Sequence, residues 1–112
     1  MLVLALTPVK ITVHGPSATP KIKSKWNYTV SITQNGKPVA AKLTEQIIDP
    51  VGGHHAVEFG ANTKPITNIP VKGVFSDYII WPPISRGLTL KLHVIVKVGT
   101  KTYTKDYIVK PQ

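Results

Sequence analysis

Apolar side chains occupy every even position from Leu88 to Val98, alternating with residues such as Thr89, Lys91, His93 and Lys97. A period of two predicts a strand with one dry face and one wet face. Gly99-Thr100 places glycine first in a two-residue loop, as a type II′ turn requires. Residues 101–109 then return, with Tyr103, Tyr107 and Val109 opposite Val96, Leu92 and Leu90. A hairpin that is apolar on one side needs a second layer to cover it.

The rest of the chain supplies that layer. Residues 8–13 alternate, with Val9, Ile11 and Val13 on one side. Residues 25–33 alternate more strongly: Trp26, Tyr28, Val30 and Ile32 point inward, and Asn27, Thr29, Ser31 and Thr33 point out. Asn35-Gly36 is a hairpin signal, because a type I′ turn needs positive φ at both central residues. Residues 38–48 are expected as the next strand. Val39, Ala41, Leu43 and Ile47 share its inner parity with one contradiction, Glu45. Two shorter strands are expected over 54–59, with His55, Val57 and Phe59 on one side, and over 71–75, interrupted by Gly73. Residues 76–87 carry Tyr78, Trp81 and two prolines as a loop into the central hairpin. No helical period of useful length occurs. About seven short strands with frequent turn signals predict an all-β, two-sheet antiparallel sandwich.

Length and composition narrow this further. The 112 residues fit one domain, assigned to 8–112, with 1–7 as an extension or the start of the first strand. Residues 1–7 are apolar but have no basic flank ahead of them, so the remnant of a signal peptide and a simple strand extension both remain open. With 42% hydrophobic and 17% charged residues the chain has the composition of a folded domain. No apolar run is long enough to span a membrane as a helix. The absence of cysteine removes disulfides, thiol nucleophiles and thiolate metal sites. Thirteen lysines and one arginine, Arg86, against five acids give a net charge of +9. Such an excess attracts polyanions. The near-absence of arginine argues against nucleic acid, whose phosphates and guanines favour the planar guanidinium.

Several segments together are similar to the immunoglobulin-like domains of bacterial, particularly actinobacterial, secreted and surface proteins. They are Pro20 through the Lys25-Trp26-Asn27-Tyr28-Thr29-Val30 strand, Gly36-Lys37-Pro38-Val39-Ala40, and Phe75, Trp81-Pro82 and Gly87-Leu88-Thr89-Leu90. The closing 94–99 and 107–109 pattern completes the set. The resemblance implies an immunoglobulin-like or fibronectin-III-like sandwich and an extracellular or surface-attached setting. It implies no activity, and the paired cysteines of antibody domains are missing.

The residues that carry chemistry are sparse. No nucleophile elbow, phosphate-cradling glycine loop or paired-histidine zinc helix is present, and the five acids are scattered, so no catalytic residue is assigned. His54 and His55 are neighbours and on a strand face opposite ways, so no metal site and no cofactor is assigned. Glu45 and Lys105 break the inner pattern of two strands, and the hairpin register sets Lys105 opposite Val94. Their approach would make a buried ion pair, or a lysine–amide crosslink with the carboxylate as proton shuttle. A strand bulge that lets both reach water is the plainer alternative, since a buried pair adds little net stability. Trp81 and Tyr78 suit either a sugar-stacking platform or a plug for the end of the core, and the plug is favoured.

The outward face of the sheet holding the hairpin is the better site candidate. Lys42, Lys91, His93, Ile95 and Lys97 share it with Thr44, Gln46, Thr102, Thr104 and Asp106. The expected function is that of a non-catalytic secreted or cell-surface module, acting as a spacer or protein–protein contact. The alternatives are a module binding an anionic or carbohydrate wall polymer through this basic face, and an accessory domain of a secreted enzyme.

Overall fold

Alternation at period two is realised as strands throughout. The computed structural model describes residues 8–58, 60 and 64–112. Among them nine strands follow in order: β1 (Lys10–His14), β2 (Lys25–Gln34), β3 (Lys37–Pro38), β4 (Ala40–Ile48), β5 (His54–Ala56), β6 (Ile69–Lys72), β7 (Val74–Ile80), β8 (Leu90–Val98) and β9 (Lys101–Val109). One 3-10 turn, Pro83–Ser85, joins β7 to β8. The expected extension at 1–7 and Phe59 lie outside the described residues.

Every pairing is antiparallel, and the hydrogen-bonded path runs β1-β2-β7-β6-β4-β8-β9, with β3 on β2 and β5 on β4. The path folds into two layers between β6 and β7, which share the single pair Lys72↔Val74. The first sheet is β1, β2, β3 and β7; the second is β6, β4, β5, β8 and β9. Gly73 forms the corner. Its φ is +78°, its N–H donates to the Val39 carbonyl at 3.1 Å, and its carbonyl accepts from the Ile32 N–H at 2.7 Å. A Cβ there would lie 2.5 Å from Pro38 Cβ. Both the conformation and the space require glycine.

The central hairpin matches expectation, with Val96↔Tyr103, Leu92↔Tyr107 and Leu90↔Val109 as partners. Leu92, Val94 and Val96 are completely buried, each such side chain contributing roughly 1.5–3 kcal/mol by leaving water. Facing them are Trp26, Tyr28, Val30 and Ile32 of β2. The aromatic residues gather at one end of the core. Trp26 stacks on Tyr28 at 5.4 Å between ring centroids and meets the edge of Trp81 at 5.8 Å. The chain end closes this layer pair: the Lys110 N–H donates to the Ala18 carbonyl, and Gln112 exchanges hydrogen bonds with Pro20 and Ile22.

Four expectations are corrected. The single strand over 38–48 is two pieces in different layers, because β3 pairs with β2 and the chain crosses at Val39 before β4 begins. His54, His55 and Ala56 are all exposed, so the predicted one-sided parity of that strand is absent. The strand over 71–75 is split by the Gly73 corner, and β7 continues to Ile80 through residues expected to form a loop. Leu88 precedes β8 and is 40% exposed, its N–H donating to the Ser85 carbonyl.

Candidate functional site

The outer face of the second sheet is built as a set of cross-strand rows. Lys42 pairs with Lys97 and then Thr102; Thr44 with Ile95 and Thr104; Gln46 with His93 and Asp106; Ile48 with Lys91 and Ile108. On the other side of β4, Ala40 pairs with Lys72 and Lys42 with Pro70. The structure therefore brings Lys42, Lys91, His93, Ile95 and Lys97 onto one surface, with the lysines exposed and His93 and Ile95 half-buried. The middle row is hydrogen-bonded: His93 Nδ1 lies 2.5 Å from Asp106 Oδ1, and His54 Nδ1 lies 2.7 Å from Gln46 Oε1. The two imidazoles meet edge to face at 5.8 Å. Lys72 belongs to this surface although sequence reasoning missed it. Its short, proline-containing strand gives no alternation to read.

Glu45 faces the core, 1% exposed, and pairs with Val94, which pairs with Lys105. The contact weighed between Glu45 and Lys105 is not made, and of the two only Lys105 reaches water as the favoured alternative had both doing. The register is unbroken, but β9 ends the hydrogen-bonded path and the long Lys105 side chain extends into water. No ion pair joins them among the described residues, so the Glu45 carboxyl is not placed to shuttle a proton for a crosslink at Lys105. The partner of Glu45 is instead Tyr28, whose hydroxyl donates to Oε1 across the two layers, while Oε2 has no partner. Burial pushes the Glu45 carboxyl up to about 7; the Tyr28 hydrogen bond opposes this and the charge of Asp77 adds to it. Tyr28 itself is driven above its ordinary range, first by burial and then by Glu45. Asp77 sits opposite Tyr28 on β7 and accepts from the Gly60 N–H.

A cleft of about 400 Å³ opens between the layers at the aromatic end. Ile47, Val57, Ile79 and Trp81 line its wall, with His55 and Ser85 at its polar points. Ser85 and His55 make no hydrogen bond to each other: the Ser85 hydroxyl donates to the Pro82 carbonyl at 2.6 Å, and His55 Nε2 lies 2.8 Å from Asp49 Oδ2. That imidazole, with the Gly53 amide, holds the Asp49 carboxyl below its usual range. Trp81 is 2% exposed and plugs the core, while Tyr78 lies on the other face of β7 under the Lys25 ammonium, 4.5 Å from its ring centroid. Both residues line the cleft. Ile80, which lines the cleft, is 50% exposed, and Ile84 and Leu88 in the segment that follows are 84% and 40% exposed. Among the described residues no group of three histidines or acids has the arrangement of a metal site.

No protein-family profile and no curated protein matches the chain. Among solved structures, it is similar to the crystal structure of a DUF4466 family protein from Parabacteroides merdae, with a TM-score of 0.50 at 12% sequence identity. The similarity covers 96% of this chain and 45% of that one, so this chain spans less than half the length of its structural neighbour. What the two share is the fold: an all-β sandwich of two packed antiparallel sheets.

Proposed function

We propose that the chain is a non-catalytic module of a secreted or surface-attached protein, serving as a rigid spacer that makes contact with another protein through one end. The observation that carries this reading is the apolar rim of the cleft. Single exposed apolar residues are ordinary on any surface. Here Ile80 lines the cleft, and the exposed Ile84 and Leu88 follow it within one short segment whose Trp81, Pro82 and Ser85 also line it. A patch of that kind marks a contact surface more often than a solvated one. The stiff core behind it, with Leu92, Val94 and Val96 fully buried, holds the rim without help from a ligand.

Site-specific photo-crosslinking in the producing cell tests the proposal. A photoreactive residue at position 84 is expected to give one discrete protein adduct, and the same residue at position 104, on the outer face of the second sheet, is expected to give none. Introducing Ile84→Asp beside a photoreactive residue at position 88 should abolish the adduct while leaving the melting temperature unchanged, because position 84 is largely in water. Equal labelling from 84 and 104, or an adduct that survives Ile84→Asp, overturns the reading.

A further inference from the structure

We propose that the outer face of the second sheet binds an acidic polysaccharide through Lys42, Lys97 and Lys72. This surface is separate from the apolar rim and does not depend on it. Lys42 and Lys97 are direct cross-strand partners, which sets their Cβ atoms about 5 Å apart. Lys72 lies opposite Ala40, two residues from Lys42 on the same face, a diagonal neighbour at about 7–8 Å. Like charges placed directly opposite each other on a sheet are destabilising. All three ammonium groups are exposed and have no carboxylate partner. The five acids lie or are engaged elsewhere. Asp106 is held by His93, Asp49 by His55 and Asp77 by the Gly60 amide, Glu45 is inside, and Glu58 lines the cleft, where its backbone bridges Pro65. An uncompensated cluster of three cations on a flat sheet is an anion site by charge complementarity.

The surroundings select the class of anion. Lys91 continues the positive surface along β8, six residues from Lys97, or about 20 Å of strand, a reach that suits a chain molecule more than a single ion. Thr44, Thr102 and Thr104 lie in and beside the lysine row and supply hydroxyls that both donate and accept, as sugar hydroxyls require. Nucleic acid fits less well. The face presents no guanidinium for bidentate phosphate or base contacts. Among the described residues it also presents no tyrosine, phenylalanine or tryptophan ring on which a base could stack, since Tyr103 and Tyr107 are on the inner parity of β9, and its two imidazoles are packed edge to face and hydrogen-bonded to Gln46 and Asp106.

Fluorescence anisotropy with labelled heparin, hyaluronan and single-stranded DNA of matched length tests this. The wild-type chain is expected to bind heparin or hyaluronan more tightly than the DNA, with affinity falling as salt rises. Binding to hyaluronan as well as heparin identifies carboxylate recognition; binding to heparin alone identifies sulfate. Lys42→Gln/Lys97→Gln should weaken the glycan about tenfold or more. Lys10→Gln/Lys21→Gln removes the same charge away from this face and should change affinity less than about twofold. Circular dichroism on each variant separates loss of binding from loss of fold, and Lys72→Gln alone is a milder check with the same expected direction. Equal losses from the two double variants, preference for the DNA, or no binding to either glycan overturns the proposal.

Discussion

The two sheets of this sandwich invest their side chains differently. The first has an aromatic inner face, Trp26 and Tyr28, and an outer face of hydroxyls and amides with two separate lysines, Lys10 and Lys25. Thr12, Asn27, Thr29, Ser31 and Ser76 run across it, and Thr29 and Ser76 share a hydrogen bond at 3.2 Å. The second has an aliphatic inner face, Leu90 to Val96, and an outer face with a lysine cluster and a His93–Asp106 pair. The inner faces are alike in burial though not in residue type, since any apolar shape that fills the space will serve. The outer faces differ in how charge is clustered, with Lys42 and Lys97 as direct neighbours on the second and Lys10 and Lys25 apart on the first, which packing does not demand. A difference that the core does not require is where a partner should be sought.

The largest test of the contrast lies inside. Leu92→Ala removes a fully buried side chain from the second sheet and should cost about 4 kcal/mol in urea unfolding. A loss below about 1 kcal/mol would mean that the inner ladder is not the structural investment described. Next is the carboxyl that joins the two inner faces. The Glu45 pKa is raised to about 7 in the fold from an ordinary value of 4.5, so the folded state holds the proton more tightly than the unfolded chain. The stability this provides is present in full below about pH 4.5 and is lost as pH rises to about 7, a difference on the order of 3 kcal/mol. Glu45→Gln, which keeps a carbonyl acceptor for Tyr28, should flatten that slope. Unchanged pH dependence in the variant would assign the slope to other groups. The smallest effect is on the outer faces. Lys97→Thr should stabilise the free protein by about 0.5 kcal/mol at low salt and by nothing at high salt, as the repulsion with Lys42 is relieved or screened. Ser76→Ala on the other sheet should be insensitive to salt. Matching salt responses would erase the distinction between the two faces.

Much of this molecule was legible from alternation alone. The central hairpin, its register and the inward row of β2 follow directly from period two, as does the outer face with Lys42, Lys91, His93, Ile95 and Lys97. What alternation cannot report is which sheet a strand joins. The run 38–48 looks like one strand because its parity continues through Val39, where the backbone crosses between layers. β7 was hidden because Asp77 occupies an inner position, opposite Tyr28, and that substitution for an apolar residue erased the pattern. Glu45 was visible as an anomaly, yet its partner was not. Register finds neighbours within a sheet, and Tyr28 lies across the gap between sheets. The exposed Ile84 and Leu88 beside the end of β7 had no signal, because isolated apolar residues in turns do not announce their exposure.

The corner at Gly73 has a mechanical consequence. Since one residue carries the main-chain ladder from the first layer to the second, the two layers are not separate leaves held by grease alone. Tension applied across the molecule must break the Gly73 bonds to Val39 and Ile32 before either layer can peel away. A sandwich built this way resists stretching at the point where a simple two-leaf one would be weakest.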